Sequence, residues 1–341
     1  MRDLERCAHL GTASLGVWRR RDALRVLTRD ELALDIGEGT IHCPLPGVCM
    51  DGGFQPSDEH WLAIAVLASS ASVPTQLRAK DDVSALVALG CGRTAARVHG
   101  IPLIDDHDPA TQADDQYHHD VAVFRHLRDM RSTPHPDRPT QTLHRFQLRL
   151  DRSDVVQHES GLFLTTHLRT LYDLTSLVSP EALVCAMDWC LHHGKVTVEQ
   201  LEAFIVGHKG WRSTRAFSRA VALADARAES PHETLTRLLL KPLWPALTPQ
   251  VRLYDERGRI VARFDHADEE IRLAVESDGR IGHSGQAMKA KDDRRDRRTS
   301  LQHGYATERV TWFEVRRLQS ATRARILAVR DARRAKLSRA A

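Results

Sequence analysis

The chain has 341 residues, 42% of them hydrophobic and 28% charged, with a formal net charge of +4. That length supports roughly two or three ordinary domains, each able to bury a core, and the composition excludes a disordered or fibrous chain. No apolar run approaches the roughly 18 residues a membrane-crossing helix needs, and Met1 to Gly16 lacks a secretory signal's apolar stretch, so a cytoplasmic protein without a membrane partner is expected.

In chain order, Val17 to Val26 and Thr28 to Ile36 read as two short helices, followed by Gly37, Gly39 and a strand-like Thr40 to Met50. Helix, turn, helix and hairpin predict a winged-helix-like module over 1–51. Thr28 is placed to cap the second helix and Glu31 to close a capping box. That helix carries Asp30, Glu31 and Asp35, then Glu38, against Arg29. Such charges repel the phosphates flanking a DNA groove, so a protein-interaction role stands beside a DNA-reading one.

The region 52–228 reads as a mixed α/β middle with a helical connector. An apolar helix is predicted over His60 to Ser70, an acidic loop over Asp105 to Asp120, and strands over His119 to Arg125, Leu143 to Leu150 and Leu162 to Thr166. Thr133 to Pro139 is a proline-rich loop. Helices follow over Thr166 to Leu177, Pro180 to His193, Thr197 to Val206 and Ser213 to Ala228, with Arg169, Thr170 and Asp173 clustered for capping and salt bridging. The cysteines, Cys7, Cys43, Cys49, Cys91, Cys185 and Cys190, form no C-x-x-C pair and no zinc-ligand spacing with histidine, which points to reduced, buried thiols.

The last region, 229–341, opens on Ser230-Pro231-His232-Glu233: a capping serine, a proline at the first helical position, and a glutamate that returns a hydrogen bond to the cap. Leu235, Leu238 and Leu239 form the expected buried stripe. Val251 to Tyr254 and Arg259 to Asp265 read as a hairpin turned at Asp255 to Gly258, with a third strand over Arg272 to Asp278. A period of two places Asp265 on one strand face, and Glu276 and Asp278 on one face of the next. Converging carboxylates repel unless a cation intervenes, and Mg2+ or Mn2+ is the natural one. Solvated strand ends are the alternative.

Lys289 to Gln302 reads as a helix stopped by Gly304, bearing Lys289, Lys291, Arg294, Arg295, Arg297 and Arg298. Tracking of nucleic-acid phosphates fits its place after the acidic strand, and internal pairing with Asp292, Asp293 and Asp296 is the alternative. Arg316 to Ala341 has a helical apolar period through Leu318, Ala321, Ile326, Leu327 and Val329, which suggests an amphipathic helix packed on the domain. No phosphate-binding glycine loop, dinucleotide fingerprint or nucleophile elbow occurs, which sets aside nucleotide hydrolysis and acyl transfer.

Ser230-Pro231-His232-Glu233, Val261-Ala262-Arg263-Phe264-Asp265, Leu273-Ala274-Val275-Glu276-Ser277-Asp278-Gly279 and His283 resemble a restriction-endonuclease-like family related to the very-short-patch-repair endonucleases. The likeness continues through Asp293 to Arg298, Leu301, Gly304 and Arg309-Val310-Thr311-Trp312, covering about Ser230 to Val315. It implies a mixed sheet flanked by helices, with Asp265 and Glu276 as metal ligands, Glu233 as an accessory acid, and Asp278 or His283 as further catalytic residues. Asp278 stands where the wider superfamily has a lysine, which leaves His283 or Lys289 to orient the attacking water. Upstream, Gly16 to Arg21, Pro46-Gly47-Val48 and Thr165 to Asp173 resemble an AbiEi-type antitoxin-like region. The resemblances imply a Mg2+-dependent endonuclease acting on DNA. The alternative is an inactive, DNA-binding regulator in a toxin-antitoxin or phage-defence system, with a toxin or defence partner.

Overall fold

Thr28 Oγ1 accepts from the Glu31 backbone N–H at 3.2 Å, and the Glu31 carboxylate accepts from the Thr28 N–H at 2.6 Å, completing the expected capping box. It starts α2 (Arg29–Gly37), after β1 (Val17–Arg19) and the helical turn α1 (Arg20–Ala23). The computed structural model describes residues 7, 10, 15–53, 55–69, 88–105, 117–124, 133–134, 141–278, 297 and 299–340. The fold is α/β, with three sheets among the described residues.

The helix expected over Val17 to Val26 begins instead as a strand. Val17 pairs with Met50 and Arg19 with Val48, so β1 joins the hairpin of β2 (Ile41–Leu45) and β3 (Val48–Asp51) in an antiparallel sheet ordered β1-β3-β2. Gly47, at φ 81°, supplies the left-handed backbone that turns this hairpin. Nor do the first fifty residues form a separate module. Val17, Leu45, Val48 and Met50 share one core with Leu62, Ile64 and Val66 of α3 (Asp58–Ser69) and with Val121 and Leu143.

The second sheet runs β6-β7-β5-β4-β9-β8 and is mixed. Its strands are β4 (Ala88–Gly90), β5 (Tyr117–Val123), β6 (Thr133–Pro134), β7 (Gln141–Phe146), β8 (Val155–Gln157) and β9 (Phe163–Thr165). Between β4 and β5 lies α4 (Gly92–Val98), held by the fully buried Asp120, which accepts from the Arg93 backbone N–H and from its guanidinium, each at 2.8 Å. Gly92 sits at φ 49°, and a Cβ there would come within 2.6 Å of Leu177 and 2.8 Å of Asp120. α5 (His167–Leu174), capped by Thr166, completes this part.

By internal contacts the chain divides into two units, cut after Val178 rather than at 51 and 228. His208–Thr214 belongs to the first unit, while Ser179–Gly207 and Arg215 onward form the second. The helices expected as a connector, α6 (Pro180–His192), α7 (Val198–Gly207) and α8 (Thr214–Leu223), therefore fall mostly with the C-terminal region. A buried ionic network explains the join. Asp188 of α6, 1% exposed, accepts from Arg237 and Thr234 of α9 (Pro231–Leu240) and from the Asp225 N–H, each at 2.7 Å.

The third sheet runs β10-β11-β12-β13: β10 (Thr248–Tyr254), β11 (Ile260–Asp268) and β12 (Leu273–Asp278) are antiparallel neighbours, and β13 (Ala306–Thr311) lies parallel to β12. α10 (Trp312–Arg317) and α11 (Gln319–Ala340) close the chain. The expected stripe on α9 is corrected: Leu235 and Leu240 are buried but Leu238 and Leu239 only half so, while His232, Glu233, Thr234, Thr236 and Arg237 are buried as well. A helix covered on nearly every side must find partners for its polar groups inside the protein, as Glu233, Thr234 and Thr236 do, whereas both ring nitrogens of His232 and Nε of Arg237 are buried without a hydrogen-bond partner. No helix among the described residues is long and apolar enough to cross a membrane.

Candidate metal centre

Ser230 caps α9 as its sequence requires, accepting from the Glu233 N–H at 3.3 Å. The Glu233 carboxylate differs slightly from expectation. It accepts from the Ser230 hydroxyl at 2.9 Å and from the Glu229 N–H at 3.0 Å, one residue before the cap, and from the Gln250 amide at 2.7 Å. Three donors on a buried carboxylate give Glu233 a structural task at the helix start.

The pairing of β11 with β12 sets where Asp265 and Glu276 fall. His266 opposes Val275, Ala267 opposes Ala274 and Asp268 opposes Leu273, and Asp265 and Glu276 are the residues next along each strand beyond this paired stretch. Asp265 Oδ2 accepts from the Ser277 N–H at 2.8 Å, which fixes that carboxylate beside β12. Glu276 is 8% exposed, so its charge is largely withdrawn from water. Asp278 is half-buried at the end of the same strand, opposite Thr311 of β13.

Arg263, two residues before Asp265, makes a bidentate ion pair with Glu229, one arm at 2.8 Å, and Asp265 and Glu233 further favour its charge. His232 packs edge-on to Trp312 at 5.7 Å between ring centres; burial holds its pKa below the usual histidine range, while Thr311, Asp278 and Glu314 pull upward. His266, 1% exposed, is pushed by burial and by Arg237 to about 3 and is neutral at physiological pH.

Gln250 is a residue the sequence did not single out. In the β10 register it falls opposite Asp265, between the pairs Pro249–His266 and Val251–Phe264, and it adopts φ 56°. Left-handed backbone is costly for a residue with a Cβ, on the order of 1–2 kcal/mol. Its amide nevertheless reaches Glu233, tying the helix start to the strand edge beside Asp265. No motif in the sequence marks such a residue.

Not every expected residue joins the set. Among the described residues, Glu233, Asp265, Glu276 and Asp278 do not form a group of three ligand atoms mutually within 4.8 Å; Glu59, His158 and Glu159 of the first unit do. That trio is half-exposed to exposed, with His158 3.8 Å from Glu59, the arrangement of a surface ion pair. His283, Lys289, Lys291, Arg294, Arg295 and Arg298 lie outside the described residues, as does most of the helix expected over Lys289 to Gln302. Arg297 is exposed, residues 299–303 are helical, and Gly304, at φ 69°, ends that helix as expected.

Asp265 and Glu276 thus follow the last paired residues of two central strands, with Asp278 beyond Glu276. Hard oxygen donors in that disposition suit Mg2+ or Mn2+, which take one or two protein carboxylates and leave the other positions to water and substrate. Compared with protein-family models and with curated proteins, the chain matches none.

Proposed function

We propose that the second unit is a metal-dependent phosphodiesterase domain acting on DNA, with Asp265 and Glu276 as the metal-holding pair. The support for this reading is the pairing of β11 with β12 as far as His266 and Val275, which leaves Asp265 and Glu276 as the next residue on each strand, with Asp265 Oδ2 held by the Ser277 N–H at 2.8 Å. Two like charges so placed destabilise each other in low dielectric, and a divalent cation relieves that repulsion. When bound, such a cation polarises a phosphate oxygen and lowers the pKa of a coordinated water.

The chain's own residues supply the rest. The Ser277 N–H orients Asp265, and the capped, buried Glu233 anchors α9 to β10 through Gln250. Asp278, where the resembling superfamily has a lysine, does not act as a cationic partner for the attacking water. That task falls to His283 or Lys289, and the basic positions Lys289 to Arg298 serve to hold phosphates. The missing lysine also favours a second reading, a nuclease-like domain that binds DNA without cutting it and acts as a regulator.

Cleavage of a mixed plasmid and single-stranded DNA substrate set separates the two. Wild-type protein is expected to cut with Mg2+ or Mn2+. Asp265→Ala or Glu276→Ala should reduce cleavage by at least about a hundredfold while leaving DNA binding in Ca2+ nearly intact, because the ligands act through transition-state charge rather than ground-state affinity. Absence of cleavage by the wild type across divalent metals favours the regulator, and unaltered cleavage by Asp265→Ala removes this pair from the chemistry.

A further inference from the structure

A cavity of about 560 Å³ opens within the first unit, far larger than a packing defect and in the range of small-molecule sites. Its wall includes Arg149, Arg169, Tyr172, Asp173, Trp211 and Arg212. Arg169 organises that wall. Its guanidinium donates to Asp173 Oδ1 at 2.9 Å, to Asp154 at 3.1 Å and to the Arg149 carbonyl at 2.7 Å, and its side chain is only 3% exposed. The same guanidinium lies 5.5 Å from the centre of the Trp211 ring and 5.9 Å from that of Tyr172. The two rings meet edge-on at 5.8 Å, and His208 meets Trp211 edge-on at 4.4 Å. An aromatic surface locked in this way costs little entropy to present to a ligand.

Asp173 has more acceptor capacity than the protein uses. Oδ1 is committed to Arg169, but Oδ2 is buried and meets no hydrogen-bond partner in a side chain 6% exposed. A buried acceptor left unsatisfied costs roughly 1–3 kcal/mol, so a small rotation of the side chain that presents Oδ2 to a donor in the cavity would be favoured. Burial raises the Asp173 pKa to about 6 against the pull of Arg169, which leaves the group mostly ionised, and accepting, at neutral pH. Arg149 and Arg212, by contrast, are exposed residues of the same wall and bring positive charge to the solvent side.

Aromatic rings, a buried acceptor and two outer arginines together match a planar heterocycle that carries N–H donors and a phosphate. We propose that this cavity is a nucleotide-binding pocket: the base packs against Trp211 and Tyr172, a ring or exocyclic N–H meets Asp173 Oδ2, and the phosphate meets Arg149 and Arg212. The pocket needs no metal and lies in a different unit from Asp265 and Glu276, so it stands independently of the nuclease reading. The same chemistry is offered by a free mononucleotide and by one nucleotide of a single strand.

The test is calorimetric titration of the full-length protein in EDTA, which silences metal-dependent cleavage, with each nucleoside monophosphate, the matching nucleosides, inorganic phosphate and a short single-stranded oligonucleotide. At least one monophosphate, or the oligonucleotide alone, is expected to bind more tightly than nucleoside or phosphate; the first result assigns a free nucleotide, the second a strand. Trp211→Ala should weaken that binding roughly tenfold to a hundredfold, the range for losing one stacked base. Trp211→Phe keeps a ring and should retain most of the affinity, which separates stacking from collapse of the fold. Arg149→Glu with Arg212→Glu, both at exposed positions, should weaken the phosphate-bearing ligands by about tenfold or more and leave nucleosides nearly unaffected. No binding by any nucleotide ligand in EDTA overturns the proposal, as does affinity unmoved by the arginine pair or by Trp211→Ala in protein shown to be folded.

Discussion

At the scale of single residues, burial decides what the titratable groups contribute. The His266 pKa falls from 6.5 to about 3 because desolvation and Arg237 both oppose its charge, with Val275 and Asp225 pulling the other way. Between those values the unfolded chain takes up a proton that the folded chain refuses. The stability His266 contributes is therefore complete above about pH 6.5 and is lost as pH falls toward 3. Asp173 acts in the opposite sense. Its folded pKa is raised from 3.8 to about 6, so what it contributes is present below 3.8 and lost as pH rises through 6. Urea denaturation of wild type and His266→Asn across this range separates the two. The variant is expected to show a shallower loss on acidification, by a few kcal/mol over the window; parallel curves would mean that His266 titrates normally in the folded protein.

At the scale of elements, residues that act on their immediate neighbours were legible in the sequence, and those that depend on distant partners were not. Thr28 with Glu31 and Ser230 with Pro231 marked helix starts because a cap is completed within three residues. The Asp255 to Gly258 turn was legible for the same reason: Gly258 takes φ 73° and Asp255 accepts from the Arg257 and Arg259 N–H groups at 2.9 Å. Val17–Arg19 reads as helix in the sequence because its strand character comes from pairing with Val48–Met50, some thirty residues on. Ala88–Gly90 went unread because three residues between two partner strands carry no period of their own. The join of α6 to α9 was equally hidden, since it rests on Asp188 finding Arg237. Asp188→Ala would leave that arginine buried without its carboxylate and is expected to cost about 3–5 kcal/mol by chemical denaturation. A loss under 1 kcal/mol would show that solvent reaches Arg237 and that the network does not hold the two helices.

At the scale of the whole molecule, the α/β class and the strands β10, β11 and β12, though not β13, followed from period and turns. The division of the chain did not, because Val17, Leu45, Val48 and Met50 belong to the core built around α3. Of the candidate site, the period of two assigns Asp265 to one face of its strand and Glu276 to one face of the next, and the two strands pair as neighbours up to His266 and Val275. Gln250 and the Arg169–Trp211 cavity were not legible, because left-handed backbone at a glutamine and a wall drawn from four separated segments leave no local pattern. The central claim, that the Asp265–Glu276 pair is a metal centre, is tested most directly by Mn2+ binding followed by electron paramagnetic resonance. Wild-type protein is expected to immobilise Mn2+, with Mg2+ competing. Asp265→Asn with Glu276→Gln, which removes both charges at nearly constant volume, should weaken that binding by at least about a hundredfold, and Mn2+ held as tightly by the double variant as by the wild type would contradict the claim.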